Sequence, residues 1–223
     1  MNGMPAAIAI LLVDDHAIVR EGYRSLLGKQ PGMWVIAEAD NCAEAYQQFK
    51  LCNPDVVVTD ITMAGSSGLD LISRIRQRRS DARILVFSMH QNPSFAQQAI
   101  RAGALGYVSK SSPPEELLRA IREVHAGRHA LSADIAQALA LAKLGFEHKA
   151  LESLTVREFE ILRLLTGGQS TDAIAEFLNI SPKTVCNCHY LIKRKLGVSS
   201  DIELMRLAIK LDVVDLLQWS ARP

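Results

Sequence analysis

The sequence predicts an α/β domain built on a parallel sheet, followed by a small all-α domain. Two observations carry this prediction. From residue 8 to about 126, short and nearly continuous apolar runs alternate with segments of helical period. That is the pattern of βαβ crossovers, whose strands are covered on both faces. From residue 151 onward the strand-like runs stop, and each segment has helical period.

Taken in order, the apolar runs are IAILLV (8–13), WVIAEA (34–39), DVVVTDI (55–61), RILVFS (83–88) and LGYVSK (105–110). Helical patterns such as AEAYQQFKLC and GLDLISRIRQRR separate them. Five such units fill one doubly wound domain, assigned to residues 6–126. The stretch 127–150, GRHALSADIAQALALAKLGFEHKA, carries neither strand signals nor a core of its own, and reads as a connector with some helix. Residues 151–223 hold three or four helices. Gly167-Gly168 and Gly197 fall where helices should stop, and Ser181-Pro182 is a strong helix start.

Composition narrows the functional classes. With 48% hydrophobic residues, 22% charged residues and a net charge of +1, the chain matches neither a disordered segment nor a polyelectrolyte. No apolar run reaches the roughly 18 residues of a spanning helix. The opening run has no basic flank and is closed by two acids, so a cytoplasmic protein without a membrane partner is expected. Four scattered cysteines, Cys42, Cys52, Cys186 and Cys188, are too few for a disulfide framework.

In an open parallel sheet, ligands sit beyond the carboxyl ends of the strands. Here Asp14 and Asp15 follow the first run and Asp60 ends the third, while Ser88 ends the fourth and Lys110 the fifth. Any one acid alone would read as a helix cap or a strand terminator. The set converging on one edge has coherent chemistry. Three carboxylates suit a hard cation such as magnesium. A hydroxyl and an ammonium can hold phosphoryl oxygens, and a central carboxylate such as Asp60 can form an acyl phosphate.

The motifs LLVDDH, PDVVVTDITMAGSSGLDLI, VFSMH and GYVSK, in this order, resemble the receiver domain of two-component response regulators, with its flavodoxin-like (βα)5 fold. The resemblance implies that Asp60 is the phosphoacceptor and that Asp14, Asp15, Asp60 and the Thr62 backbone carbonyl bind Mg2+. It further implies that Ser88 and Lys110 contact the phosphoryl group, and that Tyr107 is an aromatic switch. One departure is Ala64, where the family usually has proline.

Residues 151–223 contain nine Lys/Arg and nine Asp/Glu, but no acid falls between Glu176 and Asp201, where Lys183, Lys193, Arg194 and Lys195 lie. A local basic face on a neutral domain is what duplex binding needs. On a helix from Ser181, Val185, Ile192 and Leu196 share one direction, while Lys183, Asn187, Tyr190 and Arg194 form the opposite row. With the preceding helix and the tight NIS turn, this makes a helix-turn-helix whose second helix enters the major groove. Lys183, Thr184, Cys186, Asn187, Tyr190, Lys193 and Arg194 are the candidate DNA contacts. LTVREFEILRLLTGGQSTDAIAEFLNISPKTV, followed by KRKLGVSSDIELMRLA, is similar to the LuxR-type helix-turn-helix of the NarL/FixJ class. Cys186-Asn187-Cys188 stand where that family commonly has Lys-x-His, so base preference does not transfer from relatives.

Cys186 and Cys188 point about 160° apart on a helix. Only Cys186 and His189 could share an ion, short of the four ligands of a structural zinc site. Cys188 is expected to be a small buried apolar residue, and a redox-sensitive Cys186 beside DNA is the second reading. Together the resemblances imply a transcription regulator that accepts phosphate from a sensor histidine kinase, binds a double-stranded DNA operator and forms a homodimer on activation, through the last helix or with that helix in the core. Two other functions would use the same residues: a magnesium-dependent phosphohydrolase with an Asp60 nucleophile, and a receiver-like regulator acting without phosphorylation.

Overall fold

The apolar runs form strands because each can be buried on both faces. The computed structural model describes residues 7–63, 66–144 and 149–214. Its first elements are β1 (Ile8–Val13), α1 (Ala17–Gly28), β2 (Met33–Ala39), α2 (Cys42–Cys52), β3 (Val56–Thr59), β4 (Thr62–Met63), β5 (Ser66–Ser67), α3 (Gly68–Arg78) and β6 (Ile84–Ser88). There follow α4 (Pro93–Ala102), β7 (Gly106–Ser109), α5 (Pro114–His125), β8 (Ala130–Leu131) and α6 (Ala133–Leu144). The chain continues with α7 (Lys149–Glu152), α8 (Val156–Thr166), α9 (Thr171–Phe177), α10 (Pro182–Leu196) and α11 (Asp201–Lys210).

The five predicted runs are strands of one parallel sheet, ordered β2-β1-β3-β6-β7 with β8 added at the edge. The order reverses between β1 and β3, and that reversal opens a crevice at their carboxyl ends. Ile10, Leu12, Val58, Leu85, Phe87 and Val108 pack with Leu117, Leu118, Ile121 and Val124 of α5 into one apolar cluster. The alternate residues Leu11, Val57 and Val86 are equally buried, so both faces are covered. Each such side chain contributes about 1.5–3 kcal/mol of burial energy.

Two features depart from the expected five-unit pattern. The 127–150 stretch supplies helix α6 but also β8, whose two residues pair parallel with β7. A two-residue strand is too short to leave an apolar run in the sequence. Likewise β4 and β5 form a small antiparallel ladder, Thr62 opposite Ser67 and Met63 opposite Ser66, directly after Asp60. Ala64 and residue 65 lie outside the described residues, so the departure at Ala64 has no structural account.

The chain forms two compact units, the first taking residues up to 91 with 99–136 and the second 92–98 with residues from 137 onward. In the second, α10 packs against α8 and α9, and α11 packs against α8. Leu204 and Ala208 of α11 are buried while Ile202 and Ile209 are exposed, so the helix contributes to the core and also offers an outer face. The part of this segment beyond residue 214 lies outside the described residues. No helix among the described residues is long and apolar enough to cross a membrane.

Gly68 brings α3 close behind the end of β3. Its amide donates to the Ile61 carbonyl at 2.9 Å, and an added Cβ would sit 2.1 Å from the Asp60 carbonyl oxygen. Gly68→Ala is expected to destabilise the first unit by about 1–3 kcal/mol, read as a lower urea midpoint with an unchanged slope.

Candidate phosphoacceptor site and nucleic-acid interface

The polar residues beyond the strands are held by backbone bonds that carry the sheet ladder one step further. Asp14 N donates to Ala39 O at 3.1 Å, Asp60 N to Val13 O at 3.0 Å and Lys110 N to Ser88 O at 2.8 Å. Each side chain therefore starts from a rigid base at the sheet edge. Asp14 and Asp60 are only 3% and 5% exposed. The Lys110 ammonium bridges them, donating to Asp60 Oδ2 at 2.5 Å and Asp14 Oδ2 at 2.6 Å. The other carboxylate oxygens are also engaged. Asp60 Oδ1 accepts from the amides of Ile61 at 2.6 Å and Thr62 at 3.3 Å, and Asp14 Oδ1 accepts from His16 N at 2.9 Å.

Burial by itself would pull the Lys110 ammonium down, but the charges and hydrogen bonds of Asp60 and Asp14 outweigh it, and its pKa lies above the ordinary lysine value. Lys110 is thus a cation throughout the physiological range. Tyr107 is fully buried, and its hydroxyl donates to the His90 carbonyl at 2.7 Å. Burial pushes its phenol well above the usual range. The buried Ser88 hydroxyl accepts weakly from His90 N at 3.5 Å.

Asp14, Asp15 and His16 place one ligand atom each within 4.8 Å of one another, the one such metal-capable group among the described residues. His16 Nδ1 lies 2.8 Å from Asp15 Oδ1 and 3.4 Å from Asp14 Oδ1. The group has the donors to coordinate a cation. Asp60 is joined to it through Lys110.

In the second unit, local signals fix the recognition helix. Asn179 adopts a left-handed turn at φ 52°, and Ile180 N donates to Ala175 O at 2.9 Å, closing the tight connection from α9 to α10. Ser181 caps α10 by accepting from Thr184 N at 3.1 Å, with Pro182 in the first turn. Gly197, at φ 68°, ends the helix in the left-handed conformation. Arg157 donates to Leu178 O at 2.7 Å, and Lys195 donates to Glu158 at 2.6 Å. Burial would raise the Glu158 carboxyl, but its bonds to Lys195 and Thr155 bring it below the usual range.

The predicted faces of α10 are present. Val185 and Ile192 are fully buried and Leu196 is half-buried, while Lys183, Asn187, Tyr190 and Arg194 are exposed. Thr184 and Cys186 are exposed beside that row. Lys193 is half-buried, 2.9 Å from Asp201 Oδ1, and His189 Nε2 meets the same oxygen at 2.9 Å. The imidazole is thereby engaged away from Cys186. Cys188 is half-buried rather than buried, because its position on the helix falls at the margin of the packed face. Burial and the Glu158 charge raise its thiol pKa.

Residues 10–122 match the model of the response regulator receiver domain, and residues 152–208 match that of the luxR family of bacterial regulatory proteins. The chain is 37% identical over 205 residues to the response regulator UvrY of Escherichia coli, covering 91% of this chain and 94% of that one. It is 40% identical over 206 residues to the transcriptional activator protein ExaE of Pseudomonas putida, covering 91% and 96%. This chain is a NarL/FixJ-class response regulator. A solved structure of RcsB from Salmonella enterica, bound to a promoter in the presence of the phosphomimetic BeF3−, superimposes with a TM-score of 0.74 at 26% identity, covering 93% of this chain and 99% of that one. The response regulator is a DNA-binding signal transducer switched by phosphorylation.

Two residues of this response regulator escaped the sequence reading. His16 stands directly after the acidic pair, so adjacency alone was the available signal. His90 shares a 2.9 Å hydrogen bond with Thr62 Oγ1 across 28 positions of sequence, and no spacing rule reveals such a contact.

Lys110→Met would leave two buried carboxylates uncompensated, at a cost of about 3 kcal/mol at neutral pH. Because the folded pKa of Lys110 is raised, its contribution is complete below the unfolded value of about 10.4 and is lost as pH rises through the folded value. Urea denaturation at several pH values should show a constant gap between wild type and variant up to about pH 10, then a narrowing one.

Proposed function

We propose that Asp60 accepts a phosphoryl group from a sensor histidine kinase, and that the resulting charge switches DNA binding by α10. The observation that carries this reading is the buried Asp14–Lys110–Asp60 bridge at the switch point of the sheet. An Asp60 carboxylate oxygen attacks phosphorus of the phosphohistidine. The new P–O bond forms as the P–N bond breaks, and the imidazole nitrogen keeps the electron pair. Lys110, already on Asp60 Oδ2, supplies positive charge for the incoming phosphoryl oxygens, and the Ser88 hydroxyl supplies a donor. Carboxylates from Asp14, Asp15 and Asp60, with the Thr62 carbonyl, fit a hard divalent cation. Mg2+ bound by these residues would supply positive charge to offset that of an incoming phosphoryl group.

The added charge of about −2 competes for Lys110 and for Ser88. Ser88 and Tyr107 both meet His90, so a change at Ser88 reaches the buried phenol. In this reading residues 6–126 are the receiver, 127–150 the connector and 151–223 the DNA-binding domain. Activation favours a homodimer, for which the exposed Ile202 and Ile209 of α11 offer an apolar face. Two recognition helices then meet paired half-sites of a double-stranded operator, with Lys183, Thr184, Cys186, Asn187, Tyr190, Lys193 and Arg194 as the contacts.

Acetyl phosphate with Mg2+ should add one phosphoryl mass to the wild type and none to Asp60→Asn, and should raise DNA affinity only in the wild type. Equal affinity of the two proteins under those conditions would overturn the reading. On α10, Arg194→Ala should weaken binding evenly across sequences and lower the salt slope by about 0.9, whereas Asn187→Ala should relax base preference by about 1–3 kcal/mol.

A further inference from the structure

Several charges on the receiver come in pairs. Arg20 and Arg24 meet Glu38, Arg24 also meets Glu21, Arg119 meets Glu116, and Arg128 meets Glu123. The ends of α2 and α3 break this pattern. Between residues 74 and 83, RIRQRRSDAR holds five arginines and one acid. Two of the arginines are structural: Arg76 donates to the Ala82 carbonyl, and Arg79 to Asn53 and the Pro54 carbonyl while stacking on Phe49. The other three, Arg74, Arg78 and Arg83, together with Lys50, have no carboxylate within ion-pair distance among the described residues.

The geometry concentrates this charge. Arg74 of α3 lies 4.6 Å from the centroid of the Tyr46 ring, and Lys50 of α2 lies 5.3 Å from the same ring. One aromatic ring thus gathers two cations from two helices, and Arg78 adds a third one turn further along α3. Lys50, Arg74 and Arg78 are all exposed. Among the described residues no carboxylate offsets their mutual repulsion, and the shared ring keeps two of them close together. The patch lies where α2 and α3 end, toward the amino-terminal ends of β3 and β6, and so away from Asp60. The phosphoryl chemistry does not use it.

We propose that Lys50, Arg74 and Arg78 form a second polyanion-binding surface, and that its ligand is the phosphate backbone of duplex DNA. Charge complementarity selects a polyanion: adjacent cations spread over two helix ends suit a row of phosphates better than one small anion. The choice of duplex DNA rests on the DNA-binding reading of α10: both surfaces belong to one chain, so a duplex bound by α10 is the polyanion tethered to this patch. Such contacts would be indifferent to base sequence.

The test uses the full-length protein and a mixed-sequence duplex of about 40 base pairs, with affinity followed by fluorescence anisotropy against salt. The triple variant Lys50→Ala/Arg74→Ala/Arg78→Ala is compared with wild type and with Arg194→Ala. Phosphorylation by acetyl phosphate serves as the control for an intact receiver. The expected result is a salt slope lower by about 2 to 3 in the triple variant, equivalent to roughly a 15–60-fold smaller loss of affinity between 50 and 200 mM salt. An unchanged slope in the triple variant, with a reduced slope in Arg194→Ala, overturns this proposal and leaves the α10 reading standing. An unchanged slope in both variants overturns both. Loss of binding to single-stranded RNA or to anionic phosphatidylserine vesicles in the triple variant, with duplex binding unaltered, assigns the surface to another polyanion and also overturns the proposal.

Discussion

One ammonium group holds the receiver site together. Asp14 and Asp60 come from the ends of neighbouring strands and are both buried, so folding forces two negative charges out of water and toward each other. Lys110 arrives from the far side, at the end of β7, and takes one oxygen from each. Its position depends in turn on its backbone bond to Ser88 and on the β6–β7 register. The sheet order and the charge balance at its edge are therefore one constraint, because neither the acids nor the lysine could be buried without the other.

The recognition helix depends on a different kind of constraint. Its ends are set by residues with restricted backbone choices, Asn179 and Gly197 in left-handed conformations and Pro182 in the first turn. Its rotation is set by Val185 and Ile192 against the core. The outer row is left to chemistry alone. Cysteines can stand at 186 and 188 without disturbing the fold, because neither position carries the packing of the helix.

Much of this was legible because parallel strands buried on both faces leave continuous apolar runs, and the candidate residues Asp14, Asp60, Ser88 and Lys110 stand at or just past the end of one. The helix-turn-helix was legible through its caps, since Ser181-Pro182 and Gly197 act locally. What could not be read has a common cause. β4, β5 and β8 have two residues each and so no periodicity. The pairs Thr62–His90 and His189–Asp201 are set by tertiary approach and not by spacing. The half-burial of Cys188 depends on how wide the packed face of α10 is, and an ideal helical wheel gives its centre but not its margin.

The two-residue strand β8 has a consequence for the fate of the sheet as a whole. An edge strand displays unpaired amides and carbonyls, the template on which other chains can extend a sheet. At this edge β8 covers part of β7 and then turns at once into α6, offering a newcomer only two residues of open ladder. Lateral growth would stall there almost as soon as it began. A segment that looks like a mere connector thus helps keep a sheet of strongly apolar strands from polymerising while the protein waits for its signal.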